Sequence, residues 1–255
     1  ARVAERLDGG PEAAIKLLRR EALSDPDVVT RFEREARIVE QLRSPHVVEV
    51  YEAFGREALV PYIAMERLRG ADLASELRTM GVMSTHKAAE LVREVALGLD
   101  AAHAAGIVHR DLKPSNLFHA EDADGKRRWK ILDFGVSKLL GSDDATLTQH
   151  QLVGTPQYMA PEQTTGGKNV DHRADIHALA AIGYRALTGR MAFSKGDIGQ
   201  VMFAVATEIP EDPRVHRDLS EDVALVLRIG LAKRPSDRFD RASELAHALT
   251  DALEG

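Results

Sequence analysis

The sequence contains no cysteine, and no apolar run approaches the roughly 20 residues needed to span a bilayer. The lack of cysteine excludes disulfide bonds, thiolate catalysis and the usual structural zinc sites, and is compatible with a cytoplasmic location. The net charge of -6 argues against a general attraction to nucleic acid or to anionic membranes. Any phosphate that binds this chain must therefore be recognised by a local site.

The 255 residues, of which 44% are hydrophobic, are enough for one large or two modest lobes with cores of their own. The first residues, Ala1 to Glu5, resemble neither a signal peptide nor a natural start. We therefore expect a domain excised from a longer protein, and a membrane tether outside these residues stays open.

Turn residues divide the first part of the chain into short strands around one helix. The pair Asp25-Pro26 indicates the beginning of that helix, with an N-cap followed by proline at the first helical position. At residues 66–70 the composition changes, and we place a lobe boundary there. The predicted strands are a segment up to Leu7, Ala13 to Leu18, Val47 to Tyr51 and Tyr62 to Met65.

The second part of the chain is predicted to be mainly helical, with one β-hairpin around Asp124-Gly125 that joins Leu117-Phe118 to Trp129–Leu132. After Gly135 follow roughly twenty mostly polar residues, and structureless segments of this length are usually functional or disordered. The predicted helices are Asp72 to Thr79, Ser84 to Ala105, Asp171 to Thr188, Ile198 to Thr207, Ser220 to Leu231 and Asp240 to Leu253.

A short polar run, His109 to Asn116, carries the chemistry most relevant to function. Its proline disfavours a helix, so the run is predicted to be a loop. An Asp that accepts a proton from a hydroxyl, a Lys that neutralises phosphate oxygens and an Asn that ligates a divalent metal would together position a phosphoryl group for transfer. Each of these residues alone is explained equally well by a solvated turn.

Two charged residues in the first part of the chain occupy apolar patterns. Lys16 lies inside an apolar strand, which is costly unless the lysine has an anionic partner. Glu35 falls on the same helical stripe as Phe32 and Val39, which predicts that it faces the interior. The alternative is an exposed Glu35 on a different face of the helix.

Five motifs occur in an order that resembles a protein kinase catalytic domain over essentially the whole chain. Lys113 and residues 154–162 are similar to the Ser/Thr branch, and residues 31–36 and 62–66 to bacterial eukaryotic-like kinases. The motifs are Ala13-Ala14-Ile15-Lys16, Glu35, His109-Arg110-Asp111 with Asn116, Asp133-Phe134-Gly135 and Ala160-Pro161-Glu162.

The resemblance implies an α+β, bilobal protein-kinase-like fold. Residues 1–65 would form an N-lobe with a small antiparallel β-sheet and one helix, residues 66–70 a hinge, and residues 71–255 a larger, mainly helical C-lobe with the activation segment at 133–162. The implied activity is transfer of the γ-phosphoryl group of ATP to Ser or Thr hydroxyls of proteins, with Mg²⁺ as the metal and Mn²⁺ as an alternative.

The resemblance also implies a set of phosphate and metal ligands. Lys16 would hold the α- and β-phosphates of ATP, and Glu35 would orient Lys16 through an ion pair. Asp133 and Asn116 would bind the metal ions. Of the remaining catalytic residues, Asp111 would accept the proton of the substrate hydroxyl, Lys113 would stabilise the γ-phosphate, and Thr155 would brace these two side chains.

The adenosine part of ATP is expected between the lobes. The adenine would lie between Ala14 and Phe118, with Leu132 near the metal site, and for these three residues ordinary core packing is nearly as good an explanation. The other expected contacts are backbone groups of Glu66 and Leu68 at the adenine edge, Met65 behind the pocket and Asp72 at the ribose.

Further residues would support the site or regulate it. Glu162 and Arg238 resemble a buried ion pair, and Asp175 would accept backbone hydrogen bonds from the catalytic loop. Arg110 would pair with an activation loop phosphorylated at Thr146 or Thr148, including by the kinase itself. These threonines are explained equally well as ordinary polar loop residues.

Two departures from the family pattern affect these expectations. No Gly-rich loop precedes Lys16, so the segment that would cover the phosphates with backbone amides is not in this sequence. Ala180 stands where the family often has Gly, and we expect local repacking to tolerate it. The rival function is a catalytically weak, pseudokinase-like binding module, although proteins of that class usually lose one of the polar residues named above.

Overall fold

Two antiparallel β-sheets and a larger helical part make up the computed structural model, which describes residues 2–4, 12–17, 39–54, 62–122, 124–134, 156–164, 170–194 and 196–255. The strands are β1 (Arg2–Ala4), β2 (Ala13–Leu17), β3 (Val50–Phe54), β4 (Tyr62–Glu66), β5 (Gly70–Asp72), β6 (Leu117–Glu121) and β7 (Arg127–Ile131). The helices are α1 (Leu73–Met80), α2 (Thr85–Ala104), α3 (Pro161–Thr164), α4 (Arg173–Thr188), α5 (Ile198–Thr207), α6 (Glu221–Gly230) and α7 (Ala242–Glu254).

The predicted α+β fold class is confirmed, and the predicted helices of the second part of the chain are present within two residues of their bounds. Helix α4 is buried along almost its whole length and forms the centre of the larger part. Of the helix predicted to begin at Asp25, only residues 39–41 lie within the described residues, and these are helical. The division of the chain at residues 66–70 stays a prediction.

The smaller sheet has the strand order β1-β2-β4-β3. Strands β2 and β4 pair from Ala13 opposite Glu66 to Leu17 opposite Tyr62, so Ala14 lies opposite Met65 and Lys16 opposite Ile63. Because side chains alternate between the faces of a strand, these four residues share one face of the sheet. The register therefore places Lys16 and Ala14 side by side on the surface that carries Met65.

The strand predicted at Val47–Tyr51 is partly wrong, because β3 begins only at Val50 and continues to Phe54. Val47 instead forms an isolated parallel bridge with Ile131, and the N–H of Val48 donates to the Ile131 carbonyl at 3.0 Å. Both valines are buried. Their β-branched side chains suit an extended backbone, but the partner is β7 of the second sheet and not β4.

The second sheet, of order β5-β6-β7, confirms the predicted hairpin and extends it. Asp72, Phe118 and Lys130 lie opposite one another across the three strands and therefore share one face. His119 and Trp129 point to the other face, where their rings stack at 4.3 Å with an interplanar angle of 9°. The sheet thus separates a face with stacked aromatic rings from the face that carries Asp72 and Lys130.

The departure at Ala180 is accommodated by a glycine on the neighbouring helix. A Cβ placed on Gly230 of α6 would lie 2.6 Å from the Cβ of Ala180, so the two helices approach each other at this point. Only glycine at position 230 leaves room for the methyl group of Ala180 without moving the backbones. The expected local compensation is therefore present in the sequence of α6.

Gly98 of α2 allows a second close approach, between that helix and the loop before β3. A Cβ on Gly98 would lie 2.7 Å from the carbonyl oxygen of His46 and 2.9 Å from Cδ1 of Ile131. The same carbonyl accepts a hydrogen bond from the N–H of Ile131 at 2.9 Å. The contact among α2, this loop and β7 therefore depends on a residue without a side chain.

We expect Gly98→Ala to destabilise the protein by about 1–3 kcal/mol, because the added methyl group must displace backbone atoms. This loss would appear even though alanine is preferred over glycine in a helix by about 1 kcal/mol. Gly183→Ala in α4 is the matched control, since its added Cβ would meet Val92 at 3.4 Å, an ordinary contact distance. Urea unfolding of both variants measures the difference, and equal stabilities would contradict the steric explanation.

Candidate active site

The backbone of the loop His109–Asn116 is anchored by Asp175, which is almost completely buried in α4. Its carboxylate accepts hydrogen bonds from the N–H groups of His109 and Arg110, both at 2.8 Å, and lies 2.8 Å from Nε2 of His103. The predicted role of Asp175 is thereby confirmed. Arg110 has a φ of 61°, a left-handed conformation that costs a non-glycine residue roughly 1–2 kcal/mol. The hydrogen bonds to Asp175 offset that strain.

The side chains of the loop form a connected polar group. Nζ of Lys113 donates to Oδ2 of Asp111 at 2.7 Å, and Nδ2 of Asn116 donates to the Asp111 carbonyl at 2.9 Å. Because the nitrogen of the Asn116 amide is bound in this way, its oxygen is the atom that can ligate a cation. The structure therefore brings Asp111, Lys113 and Asn116 together, as the sequence predicted.

His109 connects this loop to the segment that follows β7. Its Nδ1 accepts the N–H of Asp111 at 3.2 Å, which leaves the proton on Nε2, and Nε2 donates to the carbonyl of Leu132 at 2.9 Å. The His109 ring also lies 5.0 Å from the buried ring of Phe134. Asp133, between Leu132 and Phe134, is thus fixed on both sides by residues that contact His109.

Lys16 lies across from this segment and pairs with Asp133. Its Nζ is 2.7 Å from Oδ1 of Asp133, and both side chains are partly exposed. The prediction that Lys16 requires an anionic partner is confirmed, with Asp133 in that position. Glu35, the partner implied by the family resemblance, lies outside the described residues, and the pairing of Lys16 with Glu35 stays a prediction.

The residues assigned to the adenosine pocket are distributed over both sheets and the segments that follow β4 and β7. Ala14 and Met65 are neighbours on the smaller sheet, and Phe118 lies on the face of the second sheet that also carries Lys130. The carboxylate of Glu66 receives Nζ of Lys130 at 2.5 Å and so links the two sheets. This pair therefore joins β4 to β7, and the enclosure of an adenine between the two sheets stays a prediction.

Two of the predicted nucleotide contacts already have partners within the protein. The N–H of Glu66 donates to the Glu49 carbonyl at 2.9 Å, so the predicted adenine contact of Glu66 rests on its carbonyl oxygen. Asp72 caps α1 and accepts both the N–H and the hydroxyl of Ser75. Burial opposes ionisation of Asp72, but these hydrogen bonds outweigh it and lower the pKa of the carboxyl. The contacts of Asp72 with ribose and of Glu66 and Leu68 with adenine stay predictions.

The link between Lys130 and Glu66 was not predicted from the sequence. Lys130 lies within the apolar run from Trp129 to Leu132 and is 9% exposed. A lysine inside an apolar strand is the same signal that singled out Lys16. Applied to this strand as well, that signal predicts a buried anionic partner for Lys130.

The predicted ion pair between Glu162 and Arg238 is confirmed. Both terminal nitrogens of Arg238 donate to the two carboxylate oxygens of Glu162 at 2.8 Å. The guanidinium is fully buried, and it also donates to the carbonyls of Ala232 and Arg173 at 2.8 and 3.0 Å. Arg238 thereby attaches the segment 156–164 to the helical part of the fold. Thr155, Thr146 and Thr148 lie outside the described residues.

The donor atoms fit a metal that binds together with phosphates. Within the described ranges no group of three or more His, Asp or Glu side chains could hold a metal ion by itself. Asp133 and Asn116 offer hard oxygen ligands, and Mg²⁺ is typically bound by one or two carboxylates together with substrate phosphates and water. The described residues therefore form no metal site of their own, and Asp133 and Asn116 suit a metal ion that is also bound by the phosphates of a nucleotide.

Comparison with known proteins supports the same interpretation. The family model for the protein kinase domain matches residues 2–250. The chain is 38% identical over 242 residues to the serine/threonine-protein kinase PknE of Mycobacterium bovis, and 35% identical over 250 residues to the serine/threonine-protein kinase Pkn1 of Myxococcus xanthus. The crystal structure of the PknI kinase domain of Mycobacterium tuberculosis superimposes with a TM-score of 0.75 at 26% identity, covering 98% of this chain and 89% of that one.

The matches cover most of this chain but only part of the relatives. They span 94% of the chain and 41% of PknE, and 98% of the chain and 36% of Pkn1. The chain thus corresponds to less than half of each of these relatives. Among the helices that the structure describes, none is both long and apolar enough to cross a membrane.

Proposed function

The chain belongs to the protein kinase domain family, and from that premise we propose that it is a serine/threonine protein kinase that uses Mg-ATP. The main support is the connected group formed by Asp111, Lys113 and Asn116 on a loop anchored by Asp175. The contact between Lys16 and Asp133 places the two expected phosphate-site residues beside each other. Family membership implies the use of ATP and a divalent metal in general, and the choice of Mg²⁺ rests on the hard oxygen donors of Asp133 and Asn116.

In the proposed reaction, a Ser or Thr hydroxyl of a protein approaches Asp111. Its oxygen forms a bond to the γ-phosphorus of ATP while the bond from that phosphorus to the β,γ-bridging oxygen breaks and ADP leaves. Asp111 accepts the hydroxyl proton, and Lys113 stabilises the charge on the transferred group. Bound Mg²⁺ would supply charge neutralisation on the phosphates.

Lys16 and Asp133 would exchange partners when nucleotide binds. In the structure each neutralises the other at 2.7 Å. With Mg-ATP present, we propose that Lys16 turns to the α- and β-phosphates and Asp133 to the metal, so that neither charge is left unpaired. Glu35 would then be the residue that orients Lys16, and Thr155 the one that braces Asp111 and Lys113.

The proposed acceptors are proteins with exposed Ser or Thr, and this chain itself at Thr146 and Thr148. A phosphate on either threonine would attract Arg110, which immediately precedes Asp111. The second candidate function, a binding module without catalysis, is disfavoured because Lys16, Asp111, Lys113, Asn116 and Asp133 are all present.

The test is transfer of labelled γ-phosphate from Mg-ATP to the chain itself and to a generic protein substrate. The experiment uses a chain extended upstream of Ala1, so that any Gly-rich loop is included, and Asp111→Asn is the inactive control. We expect the native chain to transfer label to Ser or Thr residues and the Asp111→Asn variant to transfer none. Nucleotide binding without transfer would favour the binding module, and neither binding nor transfer would defeat both functions.

A further inference from the structure

The side chain of Gln163 bridges two segments that are far apart in the sequence. Its Nε2 donates to the carbonyl of Arg110 at 2.8 Å, and its Oε1 accepts the N–H of Ala160 at 3.0 Å. Arg110 precedes Asp111 in the catalytic loop, and Ala160 belongs to the segment 156–164 that Arg238 attaches to the helical part. One amide group therefore connects both segments.

The bond to the Arg110 carbonyl completes the support of a strained residue. Arg110 has a φ of 61°, and its N–H is held by the buried Asp175. Its carbonyl belongs to the peptide group that leads into Asp111. Rotation of that peptide group would turn the Asp111 side chain away from its position beside Lys113. With Asp175 on the N–H and Gln163 on the carbonyl, Arg110 is held from both sides.

The bond to Ala160 is a helix cap that does not by itself require glutamine. Ala160 precedes Pro161, the first residue of α3, so Gln163 is the third helical residue. An N3 side chain that accepts the N-cap N–H is half of a capping box, and Glu serves there as well as Gln. Only an amide, however, also carries the N–H group that reaches Arg110. The second hydrogen bond thus distinguishes Gln163 from a simple cap.

A narrow cavity lies between the two segments that Gln163 connects. Its lining includes Asp111, Lys113, Tyr158, Met159 and Gln163. Tyr158 is buried, and burial raises the pKa of its phenol to about 12, so it contributes an uncharged wall. Gln163 joins the segment that carries Tyr158 to the loop that carries Asp111, on the two sides of this cavity.

We infer that Gln163 is a positioning residue, which fixes the peptide before Asp111 relative to the segment 156–164. This inference rests on the proposed kinase function. It predicts that loss of the bond to Arg110 lowers turnover more than it weakens nucleotide binding, because the two hydrogen bonds of Gln163 go to Arg110 and Ala160 and not to residues assigned to ATP. A helix cap alone would affect stability and leave turnover per folded molecule unchanged.

The informative variant is Gln163→Glu, which keeps the shape and the cap but cannot donate to the Arg110 carbonyl when ionised. We expect kcat to fall on the order of tenfold with an unchanged KM for ATP, the effect of losing one hydrogen bond and placing a carboxylate against a carbonyl. Gln163→Met, which loses both bonds, should also raise KM for the protein substrate. Thr164→Ala is the control, since the hydroxyl of Thr164 donates only to the Pro161 carbonyl one turn away.

A pH profile separates positioning from a general loss of structure. In the Gln163→Glu variant, the introduced carboxyl group can again donate to the carbonyl once it is protonated; the Arg110 carbonyl favours the protonated form and the Ala160 N–H favours the ionised form. The ratio of variant to native kcat should therefore rise as the pH is lowered from about 7.5 toward about 5.5, approaching the ordinary range of a Glu carboxyl. A ratio that is independent of pH would contradict the role of this hydrogen bond.

Amide hydrogen exchange provides a measurement that does not depend on activity. In Gln163→Glu, exchange at His109 and Arg110 should increase while Ala160 stays protected, and in Gln163→Met all three should increase. Native exchange and native kcat in Gln163→Glu would overturn the inference. If the native chain transfers no phosphate, the proposed function fails, but the exchange pattern still decides whether Gln163 holds the loop.

Discussion

Asp111→Asn should reduce phosphoryl transfer by roughly 10²–10⁴-fold, the range typical of a lost general base. An amide oxygen is too weakly basic to accept the hydroxyl proton, although Asn has nearly the same shape as Asp. The hydrogen bond from Asn116 goes to the backbone carbonyl of Asp111, so it survives the substitution. The variant should therefore fold normally and bind ATP with nearly native affinity.

The measurement is the initial rate of label transfer at saturating Mg-ATP, together with the unfolding midpoint and the ATP dissociation constant. Asp124→Asn is the matched control, because it makes the same chemical change at an exposed aspartate whose carboxylate is 3.9 Å from Nζ of Lys126. If Asp111→Asn kept an activity within about tenfold of the native rate, the loss would be smaller than that expected for a general base. Asp111 would then not have that role.

Arg238→Met should destabilise the protein by about 3–5 kcal/mol, the usual effect of removing one partner from a buried ion pair. The substitution removes the two charged hydrogen bonds to the carboxylate of Glu162 and those to the carbonyls of Ala232 and Arg173. A loss of this size is a large part of the stability of a typical domain, which is about 5–15 kcal/mol.

Urea unfolding measures this effect, with Arg234→Met as the control. Arg234 is on the surface and pairs with Asp237 at 2.8 Å, an exposed ion pair that is expected to contribute little to stability. Should Arg238→Met fail to fold, Glu162→Gln provides a milder test, since the amide keeps one acceptor for the guanidinium. Equal stabilities of the Arg238 and Arg234 variants would show that the buried pair contributes little.

The sequence predicted the catalytic loop well, because its residues are close together and their roles depend on residue type. Asp111, Lys113 and Asn116 are within six positions of one another, so a loop conformation is sufficient to bring them into contact. The anchoring of this loop by Asp175 followed from the family resemblance alone. Helical periodicity places Asp175 on α4 but gives no reason for a carboxylate to face inward.

Contacts between segments far apart in the sequence were harder to predict. The apolar strand around Lys16 indicates that the lysine needs an anionic partner, but periodicity cannot choose between Glu35 and Asp133. Val47 and Val48 have strong β propensity, yet propensity does not specify which strand they join. The bridge made by Gln163 gives no signal in the sequence, because a glutamine near a helix start is already explained as a cap.

The arrangement of β7 has a mechanical consequence. Three successive residues of this strand contact the smaller sheet or the loop before β3. The Trp129 carbonyl lies 3.1 Å from the His46 ring, and Lys130 pairs with Glu66 of β4. Ile131 donates to the His46 carbonyl and accepts from the N–H of Val48. Attachments that lie along one line resist sliding but permit rotation about that line. Strand β7 would thus serve as a pivot, and a tilt of the smaller sheet about it would change the distance between Lys16 and Asp133, which is 2.7 Å in this structure.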